Sequence, residues 1–178
     1  MVYFLLGTGF EPMEAVAPVD ILRRGGVEVR TVGIGGKRIE AAHGIVVEAD
    51  CTLEEVRPED AEMIVLPGGM GGVHSILGSE AALKRMKEVH ANGKYVCAIC
   101  AGPTVLAGLG LLDGRRATCY PGCEKDMAGA VCTGASVERD GKFITGRAPG
   151  STIDFGLALL SALCGEAAAE NVRKGLVY

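Results

Sequence analysis

Cys100 ends a short apolar run, Tyr95-Val96-Cys97-Ala98-Ile99, and is followed by Ala101, Gly102 and Pro103. Such a run reads as a buried strand, and proline suits the first turn of a helix but not its interior. The spacing therefore predicts a tight strand-to-helix turn with Cys100 on it. In the G-x-S-x-G nucleophile elbow, small residues on either side of the nucleophile let neighbouring backbone approach without a side-chain clash. Ala98-Ile99-Cys100-Ala101-Gly102 has that spacing, with cysteine for serine. A cysteine at a helix N-terminus sees the positive end of the dipole, which favours the thiolate. The pattern fits equally a buried cysteine that serves as a small apolar side chain.

Glu14 is the carboxylate placed to join it. It falls in the first turn of a helix predicted from Pro12, where Met13, Val16, Ala17, Val19, Ile21 and Leu22 recur at helical spacing and Gly25-Gly26 close the element. A carboxylate there is ordinarily a solvated residue that the dipole stabilises. A strand-loop-helix unit, however, delivers its first helical turn to the carboxyl edge of a sheet, where Cys100 also falls. Pro67-Gly68-Gly69-Met70-Gly71-Gly72 ends another apolar run, Met63–Leu66. Its glycines leave backbone N–H groups free to face a ligand, although a plain connecting loop reads the same way. No Gly-Lys-Ser/Thr follows and G-x-G-x-x-G is absent, so a nucleotide site gains no support.

The elements that must carry these residues alternate between strand and helix. Strands are expected at 2–6, 27–32, 63–66, 95–99 and 116–119, with an antiparallel excursion over 39–49 turning at His43-Gly44. A hairpin is expected around Asp140-Gly141. Helices are expected at 12–24, 53–56, 79–92 with Ser79 as N-cap, 104–109, 153–163 with Ser151 as cap, and from 167. This pattern predicts an α/β fold, a doubly wound sandwich with a mainly parallel central sheet, in a single domain over residues 1–178.

A chain of 178 residues that is 48% apolar can build one core. Its formal charge of −4, with no basic cluster beyond Lys37-Arg38 and Arg115-Arg116, argues against a nucleic-acid partner. The first residues lack the flank of a signal peptide and no apolar run reaches a membrane span, so a cytoplasmic protein with no membrane partner is expected. Seven cysteines, an odd number, argue for reduced thiols rather than a disulfide framework.

Four blocks carry a resemblance: Glu11-Pro-Met-Glu14-Ala-Val-Ala-Pro-Val-Asp20, Val65-Leu-Pro-Gly-Gly69, Ala98-Ile-Cys-Ala-Gly-Pro103 and Ala148-Pro-Gly150. In this order they resemble the ThiJ/PfpI superfamily, in the branch of the human Parkinson-disease protein often described as a deglycase. The resemblance implies a flavodoxin-like fold and a homodimer. It also implies Cys100 as reactive thiol, Glu14 as the acid beside it, and an oxyanion or substrate pocket at Gly68, Gly69 and Ala101.

The chain departs from that pattern in its histidines. Relatives of peptidase type place a histidine after the nucleophile, where this chain has Ala101, and the Parkinson-protein branch often has one where this chain has Tyr120. Tyr120 is therefore read as a substrate-pocket residue. His74, near the glycine-rich stretch, is the one substitute, against its reading as a surface residue; His90 reads as solvated. His43 stands where the resemblance leads one to expect arginine near the site. Arg24 matches a helix-end arginine that reaches a partner's site, and reads equally as a residue complementing the helix dipole.

Cys97 and Cys100 spell C-x-x-C, but Cys97 lies inside the apolar run and no second pair completes a metal site. Cys119 and Cys123 border the expected pocket, where either could resolve an oxidised Cys100, or simply fill space. Cys51, Cys132 and Cys164 read as structural.

A carboxylate beside a thiolate repels it, so Glu14 and Cys100 make sense as a pair that shares one proton. For an α-oxoaldehyde the expected chemistry is thiolate addition to a hemithioacetal, proton transfer by Glu14, and hydrolysis to the hydroxy acid. Such a glyoxalase- or deglycase-like enzyme needs a small reactive-carbonyl substrate and no cofactor or metal. The competing expectation is an oxidative-stress sensor or chaperone in which Cys100 is oxidised and nothing is turned over.

Overall fold

The apolar runs that alternate with helices in the sequence line up as one seven-stranded sheet in the computed structural model, which describes residues 1–178. Its strands are β1 (Val2–Leu6), β2 (Val29–Gly33), β5 (Cys51–Thr52), β6 (Met63–Leu66), β7 (Tyr95–Ile99), β10 (Val137–Asp140) and β11 (Phe143–Gly146), in the order β10-β11-β7-β6-β1-β2-β5. All neighbours are parallel except β10, which pairs antiparallel with β11 through the Asp140-Gly141 turn. β3 (Arg38–Glu40) and β4 (Val46–Glu48) form the antiparallel excursion beside it. β8 (Arg116–Ala117) and β9 (Val131–Cys132) form a short parallel pair.

Every residue of β1 and β6 is buried, as a parallel sheet covered on both faces requires. α1 (Pro12–Arg24), α5 (Thr152–Cys164) and α6 (Glu166–Leu176) cover one face, with Phe4, Val65, Cys97, Ile99 and Phe155 in its core. α2 (Met70–Leu77), α3 (Glu80–Ala91) and α4 (Pro103–Gly108) cover the other, with Leu5, Ile64, Leu66, Val96 and Ala98 beneath them. β7 and β6 thus alternate between two packed layers, and their carboxyl ends are fixed from both sides. No helix is long and apolar enough to cross a membrane.

The structure corrects several expectations. The glycine-rich stretch is not all loop: α2 begins at Met70, and Gly71 and Gly72 sit inside it. A Cβ on Gly72 would lie 2.8 Å from Phe10 Cα and one on Gly71 2.9 Å from Gly9 Cα, so these glycines allow α2 to press on the β1–α1 loop. Ser151 precedes α5 as expected, but its side chain makes no capping hydrogen bond. His90 is partly buried, with its ring 5.2 Å from that of Phe143, rather than solvated.

Candidate active site

β7 ends in Ile99 and the chain turns at Cys100, whose φ of 64° is in the left-handed region that non-glycine residues avoid. Such a conformation costs about 1–3 kcal/mol and persists only where its surroundings hold it. Here the Cys100 N–H donates to Gly146 O at 2.9 Å, its carbonyl accepts from Tyr120 N–H at 2.8 Å, and Gly102 N–H donates to Ile99 O at 2.9 Å. Gly102 is small of necessity, since a Cβ there would lie 2.9 Å from Leu66 O and 3.2 Å from Ala98 Cβ. The cysteine is 8% exposed.

Glu14 reaches this turn from the other side. Pro12 opens α1, and the Glu11 carboxylate caps it by accepting the Glu14 N–H at 2.9 Å. The first turn is thereby set with Glu14 facing inward, fully buried rather than solvated. Gly68 N–H donates to Glu14 Oε2 at 2.8 Å, while Oε1 is buried without a hydrogen-bond partner. The Cys100 side chain stands beside the carboxyl: a Cβ on Gly68 would lie 2.6 Å from Glu14 Oε2 and 2.7 Å from Cys100 Cβ.

Burial pushes the Glu14 carboxyl from its ordinary 4.5 up to about 7, against the hydrogen bonds from Cys100 and Gly68, and the nearby Glu11 charge adds to the rise. Burial and the Glu14 charge likewise push the Cys100 thiol up, while the N–H groups of Ala101 and Gly69 pull it down. The helix-end expectation for Cys100 is corrected here. α4 starts at Pro103 with Gly102 as its cap, so the cysteine precedes the helix, and burial outweighs the dipole. Two neighbouring acids, both raised, titrate as a pair that retains one proton across the neutral range.

The pocket's glycines divide their tasks. Gly68 was expected to help hold an oxyanion, but its N–H is committed to Glu14. That leaves Gly69, at φ 81°, and Ala101 as the backbone donors directed at the sulfur. A Cβ on Gly69 would lie 2.5 Å from Gly9 O, so its conformation and its packing both demand glycine.

The remaining expected residues separate. Tyr120 meets the site through its backbone, and its side chain is 47% exposed. Arg24 does not join Glu14 and Cys100 within this chain; it pairs with Asp20 at 2.7 Å on the outer side of α1. His43 is exposed at the β3–β4 turn with φ 63°, and His74 is exposed on α2. No imidazole hydrogen-bonds to Glu14 or Cys100. Cys119 is buried, Cys123 half-buried, and Cys132, expected to be structural, is exposed and neighbours the Cys119 thiol. Cys100 and Glu14 lie outside the clefts on α1, on α3 and between β10, α5 and α6. Glu11 escaped the residue-by-residue reading; an acid directly before a proline at a helix start was its signal.

The DJ-1/PfpI family model matches residues 1–162. Protein DJ-1 homolog B of Arabidopsis thaliana is 38% identical over 95% of this chain, which spans only 39% of that relative's length. The Parkinson disease protein 7 homolog of Danio rerio is 34% identical, with 97% of this chain and 94% of the relative covered. A deglycase of Pyrococcus horikoshii is 36% identical over 83% of this chain and 90% of its own. Among solved structures, oxidized Toxoplasma gondii DJ-1 superposes with a TM-score of 0.95 at 32% identity, covering 99% of this chain and 97% of that one. Drosophila melanogaster DJ-1beta gives 0.93 at 31% identity, covering 99% and 96%. With the family model matching residues 1–162 and relatives more than 30% identical along nearly its whole length, the chain belongs to the DJ-1/PfpI family.

Proposed function

We propose that the protein is a cofactor-independent cysteine enzyme acting on small reactive carbonyls, with Cys100 as nucleophile and Glu14 as proton shuttle. The observation that carries this reading is the fully buried Glu14 carboxyl, raised by burial toward 7 and set beside the thiol of a strained elbow. A carboxyl tuned to the neutral range both releases and accepts a proton there. Relatives named deglycases support the same class of chemistry.

The cycle begins with transfer of the shared proton to Glu14 and addition of the Cys100 thiolate to the aldehyde carbon of an α-oxoaldehyde. The carbonyl electrons move to oxygen, which rests against the Gly69 and Ala101 N–H groups and takes the proton from Glu14, freeing the carboxylate to act as base. Glu14 moves a proton from that carbon to its neighbour, converting the hemithioacetal into the thioester of a hydroxy acid. Water hydrolyses the thioester and restores the thiol. No electrons are gained or lost overall.

The test is methylglyoxal consumption and lactate release by the purified protein beside Cys100→Ser, with no added thiol or metal. Turnover that falls to background in the variant is expected. No lactate from folded protein whose Cys100 is still rapidly alkylated sinks the reading. It would favour the sensor alternative, which draws on the same cradle: the Gly69 and Ala101 donors and a protonated Glu14 also suit an oxidised sulfur, and one close structural relative is described as oxidized. The reading includes a homodimer formed through the outer face of α1.

A further inference from the structure

We propose that Cys119 and Cys132 form a second redox site, a dithiol that closes to a disulfide and staples the loop beside Cys100. The proposal rests on no role for Cys100 itself. β8 and β9 run parallel with Ala117 opposite Cys132, and Thr133 N–H donates to Ala117 O at 2.9 Å, which fixes the register. Cys119 lies two residues beyond Ala117, and Cys132 is the ionisable neighbour that acts most strongly on its thiol. Two thiols that neighbour one another at the end of a fixed ladder are placed to close a disulfide, which requires Cα atoms within about 7 Å.

The two thiols differ in access. Cys132 is exposed, whereas Cys119 is 4% exposed within the apolar core. Burial, with neighbouring Cys132 and Glu124, also pushes Cys119 up to about 12. Cys132 is therefore the sulfur that meets an oxidant first, and Cys119 the one that resolves it. Cys123 stands close by on the turn that its N–H closes to Tyr120 O at 2.9 Å, yet Cys132 acts more strongly than Cys123 on the Cys119 thiol. A metal does not explain the cluster, because no three His, Cys, Asp or Glu side chains converge as ligands.

With hydrogen peroxide as oxidant the chemistry balances. Cys132 sulfur attacks one peroxide oxygen, the O–O bond breaks, and sulfenic acid and water form. Cys119 sulfur then attacks the Cys132 sulfur, the S–O bond breaks, and the Cys119 proton leaves with the hydroxyl as a second water. Two electrons pass from the thiols to peroxide. The bond encloses Tyr120, whose N–H holds the Cys100 carbonyl, so it fixes one wall of the elbow.

The test uses the full-length Cys100→Ala variant, treated with hydrogen peroxide under native conditions, alkylated in acid and digested without reductant. The expected product has lost the mass of two hydrogens and carries one cross-link between the peptides bearing Cys119 and Cys132. The cross-link persists in Cys123→Ser and disappears in Cys132→Ser, a substitution at an exposed side chain. A linkage through Cys123 instead, or oxygen added to Cys132 with no cross-link, overturns the proposal.

Discussion

Burying a carboxyl until its pKa approaches 7 ties the stability of the folded chain to pH through one residue. Glu14 is raised from 4.5 to about 7 chiefly by burial, so the folded state holds this proton more tightly than the unfolded state does. Its contribution is complete below about pH 4.5 and is lost as pH rises through about 7. A shift of this size corresponds to roughly 3 kcal/mol. Glutamine keeps an oxygen for the Gly68 N–H and has no proton to lose. The unfolding free energy of Glu14→Gln, measured against wild type by denaturant titration, should therefore gain by roughly that amount between about pH 4 and pH 8. Curves that run parallel across the range would show that the proton lost near pH 7 is not Glu14's. The same variant should have lost lactate production, since the amide cannot shuttle a proton.

At the scale of elements, the site exists because the β6–α2 connection passes between α1 and β7 with no room to spare. The backbone of Gly68 does not need glycine's freedom, but a Cβ there would lie 2.6 Å from Glu14 Oε2, 2.7 Å from Cys100 Cβ and 3.0 Å from Ala101 N. Gly68→Ala should cost about 1–3 kcal/mol in stability and depress Cys100 alkylation together with activity. Gly108→Ala is the control: its added methyl meets nothing within 4 Å on an exposed turn of α4, so it should be neutral to stabilising by about 0.5–1 kcal/mol. If both substitutions behave alike, the crowding at Gly68 is not what organises the pair.

Crowding of this kind also marks where the sequence stops being readable. α1, β6, β7 and the β10–β11 hairpin follow from apolar spacing, a proline at a helix start and an Asp-Gly turn, all local signals. So does the elbow, because Ala98, Gly102 and Pro103 constrain only their neighbours. α2 was hidden because its glycines answer to Gly9 and Phe10 on a distant loop, and glycine reads locally as a breaker. β5 and β9 are two residues each, too short to show a period. The burial of Glu14 was likewise invisible in the helix itself. It follows from Gly68 and Cys100, far along the chain, coming to the same sheet edge.

On the scale of the whole molecule, α1 faces two ways. One side buries Glu14, Ala15, Pro18, Val19, Ile21 and Leu22 against the sheet and α5. The other leaves Met13 55% and Val16 53% exposed, and the β3–β4 excursion adds Ile45 and Val46, 48% and 44% exposed, to the outer apolar surface. Met13, Val16 and Ile45 line a single shallow surface with Pro12, Ala17 and Asp20. A contiguous apolar surface on a helix whose opposite face is already satisfied is the feature that a second copy of the chain would cover. Because Glu14 sits in the first turn of the same helix, pairing there would also steady the acid of the proposed chemistry. Sedimentation equilibrium at micromolar concentration should then give a dimer for the wild-type chain and a monomer for Val16→Asp. The far-UV dichroism of the two should match, because Val16 takes no part in the core. A wild-type monomer under these conditions removes the dimer from the proposed function while leaving the Glu14–Cys100 chemistry to its own test. A monomeric variant with reduced turnover but unchanged Cys100 alkylation would place the second copy's contribution at Glu14 or in substrate binding rather than at the thiol.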